Sequence, residues 1–167
     1  MTYNPQHYNV LATKTLFNYL SKRDSDICLE TQIKAGADPN QLNIVISHNR
    51  LEDFKALLDA GASPNLAYDY GYYGFATPLA FCILAKRYDM MEILLKHPKI
   101  DIEEKQTFNR GADYLFAPKL SYLKLAQRQK DKKAVKMIEM ALHTTRETKE
   151  LRTQRDAGNL KALRFKL

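Results

Sequence analysis

Two almost identical heptapeptides, Lys34-Ala-Gly-Ala-Asp-Pro-Asn40 and Asp59-Ala-Gly-Ala-Ser-Pro-Asn65, stand 25 residues apart in this chain of 167 residues. Each follows an amphipathic run, CLETQI in the first case and LEDFKALL in the second. Gly36 and Gly61 sit just past the last helical residue, where the backbone needs a left-handed conformation that Gly adopts cheaply. Pro39 and Pro64 then keep the helix from resuming. One stop signal recurring at a fixed interval marks a repeated supersecondary unit, and a period in this range points to a stack of such units.

The start signals recur as well. Thr77-Pro78-Leu79-Ala80-Phe81-Cys82 places a capping Thr before a Pro at the first helical position, followed by an apolar face. Ser121-Tyr122-Leu123-Lys124-Leu125-Ala126 repeats the form with a Ser cap, and Asn40-Gln41-Leu42-Asn43-Ile44-Val45 repeats it with an expected Asn cap. After each start the chain runs directly into a second helix: LEDFKALL, YDMMEILL and KKAVKMIEMAL. Each unit therefore reads as a hairpin of two short antiparallel helices.

TPLAFCILAKRYDMMEILL, LEDFKALLDAGASPN and LETQIKAGADPN together resemble the ankyrin repeat, whose pattern is T-P-L-H-x-A-A, a G-H-type turn, an E-I-V-K-L-L-L helix and G-A-D-V-N. The resemblance spans about residues 10–144, in units 10–40, 40–65, 77–102 and 121–144. It implies an all-α ankyrin-repeat solenoid over residues 1–144, with two long inter-repeat loops and a basic helical extension over 145–167. The chain departs from the family in places. Asn43, Ala80 or Lys124 stands where the family has His, the third unit ends HPKIDI, and the last unit lacks both Thr and Pro. End units of such stacks are atypical because they cap it with a polar face. The expected core comprises Leu42, Val45, Phe54, Leu57, Leu58, Leu79, Cys82, Ile93, Leu94, Leu123, Ala126, Val135 and Ile138.

Catalytic signatures are missing from the sequence. It holds no phosphate-binding Gly-rich loop, no G-x-S-x-G, no H-E-x-x-H and no C-x-x-C. His7, His48, His97 and His143 are scattered, with His48 and His97 at helix ends. Cys28 and Cys82 fall on apolar helix faces and suit core packing in a reducing compartment. Glu103-Glu104 reads as a solvated acidic pair. The expectation is a non-enzymatic chain without metal or cofactor.

Binding has more to stand on. The connection Leu66–Ala76 carries Tyr68, Tyr70, Tyr72, Tyr73 and Phe75, with Gly71 and Gly74 between them. Tyr offers a large rigid contact area and a polar tip, and it dominates interface hot spots. Some of these rings are expected to pack inward and at least two to face solvent. The connection Glu103–Leu120 holds Phe108, Arg110, Tyr114 and Phe116. In ankyrin proteins such loops form a row of fingers beside a groove lined by the first helices. The resemblance implies that turn residues such as Lys86 and Arg87 border it. Aromatic anchors beside positive charge suit a partner protein with apolar pockets and acidic rims. A monomer that binds another protein is the expectation; the alternative is nucleic acid or another anionic surface.

The charge distribution sharpens that alternative. Residues 1–118 hold 12 Lys/Arg against 14 Asp/Glu, whereas residues 119–167 hold 14 against 5. Arg146, Lys149, Arg152 and Arg155 recur every three residues and would form one stripe on a helix. The tail is expected to break at Gly158, with Leu160, Leu163, Phe165 and Leu167 capping the last unit. No apolar stretch is long enough for a transmembrane helix, and the N-terminus lacks the basic and apolar regions of a secretory signal. A cytoplasmic setting is expected. The Lys, Asn and Tyr usage, with no Trp, hints at an AT-rich genome. The polar tail ending in hydrophobics is similar to the C-terminal signals of type IV secretion substrates. Two roles follow: an effector delivered into a host cell, or an inhibitor acting inside its own.

Overall fold

The computed structural model describes residues 8–22, 29–69, 75–103, 105–107 and 119–164. Its elements in chain order are α1 (Val10–Lys22), α2 (Leu29–Lys34), α3 (Leu42–Ser47), α4 (Leu51–Asp59), β1 (Tyr68–Asp69), β2 (Phe75–Ala76), α5 (Pro78–Leu84), α6 (Tyr88–Lys96), β3 (Lys105–Thr107), β4 (Lys119–Ser121), α7 (Tyr122–Arg128) and α8 (Lys132–Arg164). The architecture is mostly helical. It also contains two antiparallel ribbons, β1 with β2 and β3 with β4, inside the connections that were expected to be loops.

Three hairpins share the same turn, with the same backbone bond and the same left-handed residue at matching places. Arg50 N–H donates to the Val45 carbonyl at 2.8 Å, Arg87 N–H to Cys82 at 2.9 Å and Asp131 N–H to Ala126 at 3.1 Å. The residue before each of these is left-handed, with φ of 56° at Asn49, 55° at Lys86 and 54° at Lys130. A side chain in that region costs roughly 1 kcal/mol, and the paired backbone bonds of this cap offset it. Gly36 and Gly61 make the same cap at the ends of α2 and α4, at φ of 85° and 95°. Ala37 N–H reaches back to Gln32 and Ala62 N–H to Leu57.

The hairpins stack in two rows. Helices α1, α3, α5 and α7 each touch the next, as do α4, α6 and α8 in the second row. The core lies between the rows, where Phe54, Leu57, Leu79, Cys82, Met91, Leu94 and Ile138 are fully enclosed. Of the expected core, Ile93, Leu123 and Val135 are only half-buried, packed against its edge. Leu123 and Val135 belong to the α7–α8 hairpin, which among the described residues packs on the helices α5 and α6 alone. Ile93 shares its position with Ala56 and Met137, and all three are half-buried. The row of α4, α6 and α8 turns that face outward.

Cap chemistry differs from expectation at one start. Thr77 Oγ1 accepts from Ala80 N–H at 3.5 Å and Ser121 Oγ from Lys124 N–H at 3.3 Å. Asn40 does not cap α3: Gln41 occupies that place without a side-chain bond. The Asn40 side chain is directed into the next unit, where its Oδ1 accepts from Ser63 N–H at 2.8 Å. A second difference concerns the tail. Helix α8 runs unbroken through Gly158 for 33 residues, about 50 Å at 1.5 Å per residue. It therefore overshoots the nine-residue α6 beside it. No helix among the described residues is long and apolar enough to cross a membrane.

Candidate functional site

The first ribbon sets the geometry of the aromatic connection. Tyr68 pairs with Ala76 and Asp69 with Phe75. Successive residues of a strand face opposite sides, so the register separates the two aromatics. Tyr68 is half-buried against the core, whereas Phe75 is 55% exposed next to the fully buried Ala76. The chain then enters α5 through Thr77 and Pro78, both buried. The Thr77 hydroxyl shares a 2.9 Å hydrogen bond with the Tyr122 hydroxyl, which ties this ribbon's base to the last hairpin. Tyr70, Tyr72 and Tyr73 lie outside the described residues, as do Phe108, Arg110, Tyr114 and Phe116 of the second connection.

Lys86 and Arg87 lie at the far end of α5 from Phe75, about 10 Å of helix away. Lys86 is exposed in its left-handed turn. Arg87 is directed back at the preceding hairpin, with Nε 3.4 Å from the Ile46 carbonyl and Nη2 3.5 Å from that of Ser47. Arg50 does the same one unit earlier, its Nη1 donating to the Tyr19 and Leu20 carbonyls at 3.3 and 3.1 Å. Its guanidinium stacks 4.6 Å from the Tyr19 ring and pairs with Asp53. Both arginines reach carbonyls near the C-terminal end of a helix in the preceding hairpin, where intrahelical donors run out. Arg87 is therefore a staple between hairpins as well as a charge near the rim.

A second feature went unread in the sequence. Between α6 and the overshooting part of α8 lies a groove of about 860 Å³, floored by Leu95, Ile100, Met137 and Ala141. One end is closed by Tyr88, whose hydroxyl donates to Asp131 Oδ2 at 2.9 Å and whose ring lies 4.2 Å from Lys133 Nζ. That bond to the carboxylate, with burial and its negative charge, pushes the Tyr88 hydroxyl pKa up. At the open end Lys149 Nζ meets Glu103 Oε2 at 2.6 Å, which holds the Glu103 carboxyl below the ordinary range. The available signal was the spacing of Met137, Ala141, Thr144, Thr145 and Thr148. It continues one helical face past residue 144, where the last unit was expected to end.

Other reactive groups are held in structural roles. Cys82 is fully buried, and desolvation pushes its thiol far up, with Arg87 opposing weakly. A thiol in that state is neither nucleophile nor ligand. His48 and His97 cap the C-termini of α3 and α6, and His143 faces Glu147 at 3.2 Å on α8. Among the described residues no group of three or more His, Cys, Asp or Glu is placed to hold a metal ion. No protein-family model matches this chain, and no curated protein matches it.

Proposed function

We propose that this chain is an ankyrin-type repeat protein that binds another protein, without catalysis of its own. The repeat reading is supported by three hairpins that share turn geometry, cap bonds and core positions, and by the GA[DS]PN segments that close two units. Stacks of this kind present long open surfaces in place of an enclosed cleft. The observation that carries the binding reading is Phe75. A large aromatic is held 55% exposed at the base of a segment that carries three further tyrosines. Its strand neighbour Ala76 is fully buried, so the backbone that carries the ring is anchored in the fold. Preorganised aromatics beside a polar rim are typical anchors of protein interfaces.

The proposed partner has apolar pockets and acidic margins. It meets the finger side around Tyr68, Tyr70, Tyr72, Tyr73 and Phe75, with Phe108, Arg110, Tyr114 and Phe116 on the second finger. In the proposed setting the protein acts in a cytoplasm, as a delivered effector or as an inhibitor of a resident protein. An alternative is supported by Arg146, Arg152 and Arg155, which are exposed on α8 and make no salt bridge among the described residues, although Arg146 lies near enough to Glu103 to act on its charge. That stripe suits nucleic acid or another anionic surface.

Affinity capture from host-cell and bacterial lysates separates the two. We expect one protein to be retained by the wild type and lost by a Tyr72→Ala, Tyr73→Ala, Phe75→Ala variant of unchanged Tm. Recovery of nucleic acid, with affinity falling steeply as salt rises, would support the alternative.

A further inference from the structure

The groove between α6 and α8 has an apolar floor of Leu95, Ile100, Met137 and Ala141, and the threonines that continue it along α8 are already hydrogen-bonded. Met140 is 62% exposed beside it, a high value for a large apolar side chain. Thr144, Thr145 and Thr148 continue the same face of α8. Each hydroxyl donates to the carbonyl four residues earlier, at 3.1, 2.9 and 2.8 Å. Those donors are occupied within the helix, so an apolar surface laid over them strands none of them. Leaving a buried donor unmade is what normally penalises such a contact, by about 1–3 kcal/mol.

Charge divides the two walls. On the α6 side, Glu92 and Lys96 neutralise each other at 2.6 Å. On the α8 side, Arg152 lines the open mouth and Arg146 and Arg155 flank it, none with an ion-pair partner among the described residues. Residues 145–164 hold six basic and three acidic side chains.

We propose that this groove docks an acidic amphipathic helix of a partner protein, on a surface separate from the aromatic finger. Among the described residues no strand lines the groove, so an extended peptide would find no ladder to join there, and the Tyr88 ring is already covered by Lys133. A trough that runs along one helix, floored by Leu95, Ile100, Met137 and Ala141 with Met140 at its edge, fits apolar anchors at i, i+3, i+4 and i+7 of a second helix. Met adapts its shape to such anchors. A volume of about 860 Å³ takes the anchors of a few turns, with the acidic flanks left to the α8 stripe. Docking would also support the overshoot itself. Every residue from Glu150 to Asp156 is exposed, and helix without packing is marginal in water.

The probe is a designed 18-residue peptide, with Leu at the anchor positions and Glu on both flanks, titrated into the full chain carrying ¹³C-methyl methionine. The Met137 and Met140 methyl signals should shift and those of the buried Met90 and Met91 should stay. Met140→Lys and Arg152→Glu, both at exposed positions, should keep their Tm and weaken binding about tenfold each. The same peptide with Lys for Glu should not bind. Three results would each overturn the proposal: no methyl shift with the acidic peptide, equal binding by a scrambled peptide without the apolar stripe, or displacement of the peptide by a 20-base-pair DNA duplex that shifts the same methyls.

Discussion

Asn40 Oδ1 accepts the Ser63 backbone N–H at 2.8 Å, joining the end of one repeated unit to the end of the next. The same bond recurs one unit on, where Asn65 Oδ1 accepts from Asp101 N–H at 3.0 Å. Within each unit the residue two before Asn40, Asn65 or Glu103 turns the chain: Asp38 accepts from Asn40 N–H, Ser63 from Asn65 N–H and Asp101 from Glu103 N–H. At the last rung Glu103 stands in the Asn position and pairs with Lys149 of α8. The ladder ties successive units together at the finger end of the helices.

Asn40→Ala removes the acceptor and leaves the Ser63 N–H half-buried, so unfolding free energy should fall by about 1–3 kcal/mol. Asn40→Asp should not rescue it. Asn40 Nδ2 also donates to Asp38 Oδ1 at 2.9 Å, and a carboxylate there would face another carboxylate. Urea titration checks this: the midpoint should drop in both variants with the slope unchanged.

Arg50→Lys should destabilise although it keeps the charge. The guanidinium serves two carbonyls, the Tyr19 ring and Asp53 together, and an ammonium lacks the planar fork to do so. A loss of about 1.5–3 kcal/mol is expected in the same titration, because hydrogen bonds to charged groups contribute in that range. Arg87→Lys should lose less, since its two contacts are longer.

Phe54→Ala should cost roughly 3–5 kcal/mol, as for a fully enclosed aromatic in a core that relaxes only in part. Thermal unfolding would register it as a large drop in Tm, since such a loss is a sizeable share of a small domain's stability.

The hairpins were legible because their punctuation is local. Gly36 and Gly61 announce left-handed caps, and Thr77-Pro78 and Ser121 announce starts, all of which the structure contains. Asn40 misled because its side chain bonds across units, and its partner lies 23 residues away in sequence. Lys86 and Lys130 are equally left-handed yet carry no Gly to announce it. Arg87 read as a rim charge because the carbonyls it covers belong to the preceding hairpin. Gly158 read as a break from propensity alone, which costs a helix only about 1 kcal/mol. The groove was hidden by a boundary drawn where the repeat pattern ends, at residue 144, while α8 continues.

Acid should weaken the fold through His97. Burial, then the nearby Lys99 charge, depresses its pKa below 6.5, with Asp59 opposing. Its Nδ1 also accepts from Lys99 N–H at 3.2 Å, a bond available only to the unprotonated nitrogen. A group depressed in this way contributes stability that is full above the unfolded value of 6.5 and is lost as pH falls below it. Wild type should therefore lose more stability than His97→Gln between pH 7.5 and 5.5. Equal losses in paired urea titrations would remove His97 from the account.

The central claim is that the aromatic finger holds the partner, and calorimetric titration of the captured partner into wild type and into Tyr72→Ala, Tyr73→Ala tests it most directly. The account predicts an unchanged Tm and an affinity about 30- to 1000-fold weaker, equivalent to about 2–4 kcal/mol for lost anchor aromatics. An unchanged affinity in a variant that folds like the wild type would contradict it, and would move the binding surface to the basic face of α8.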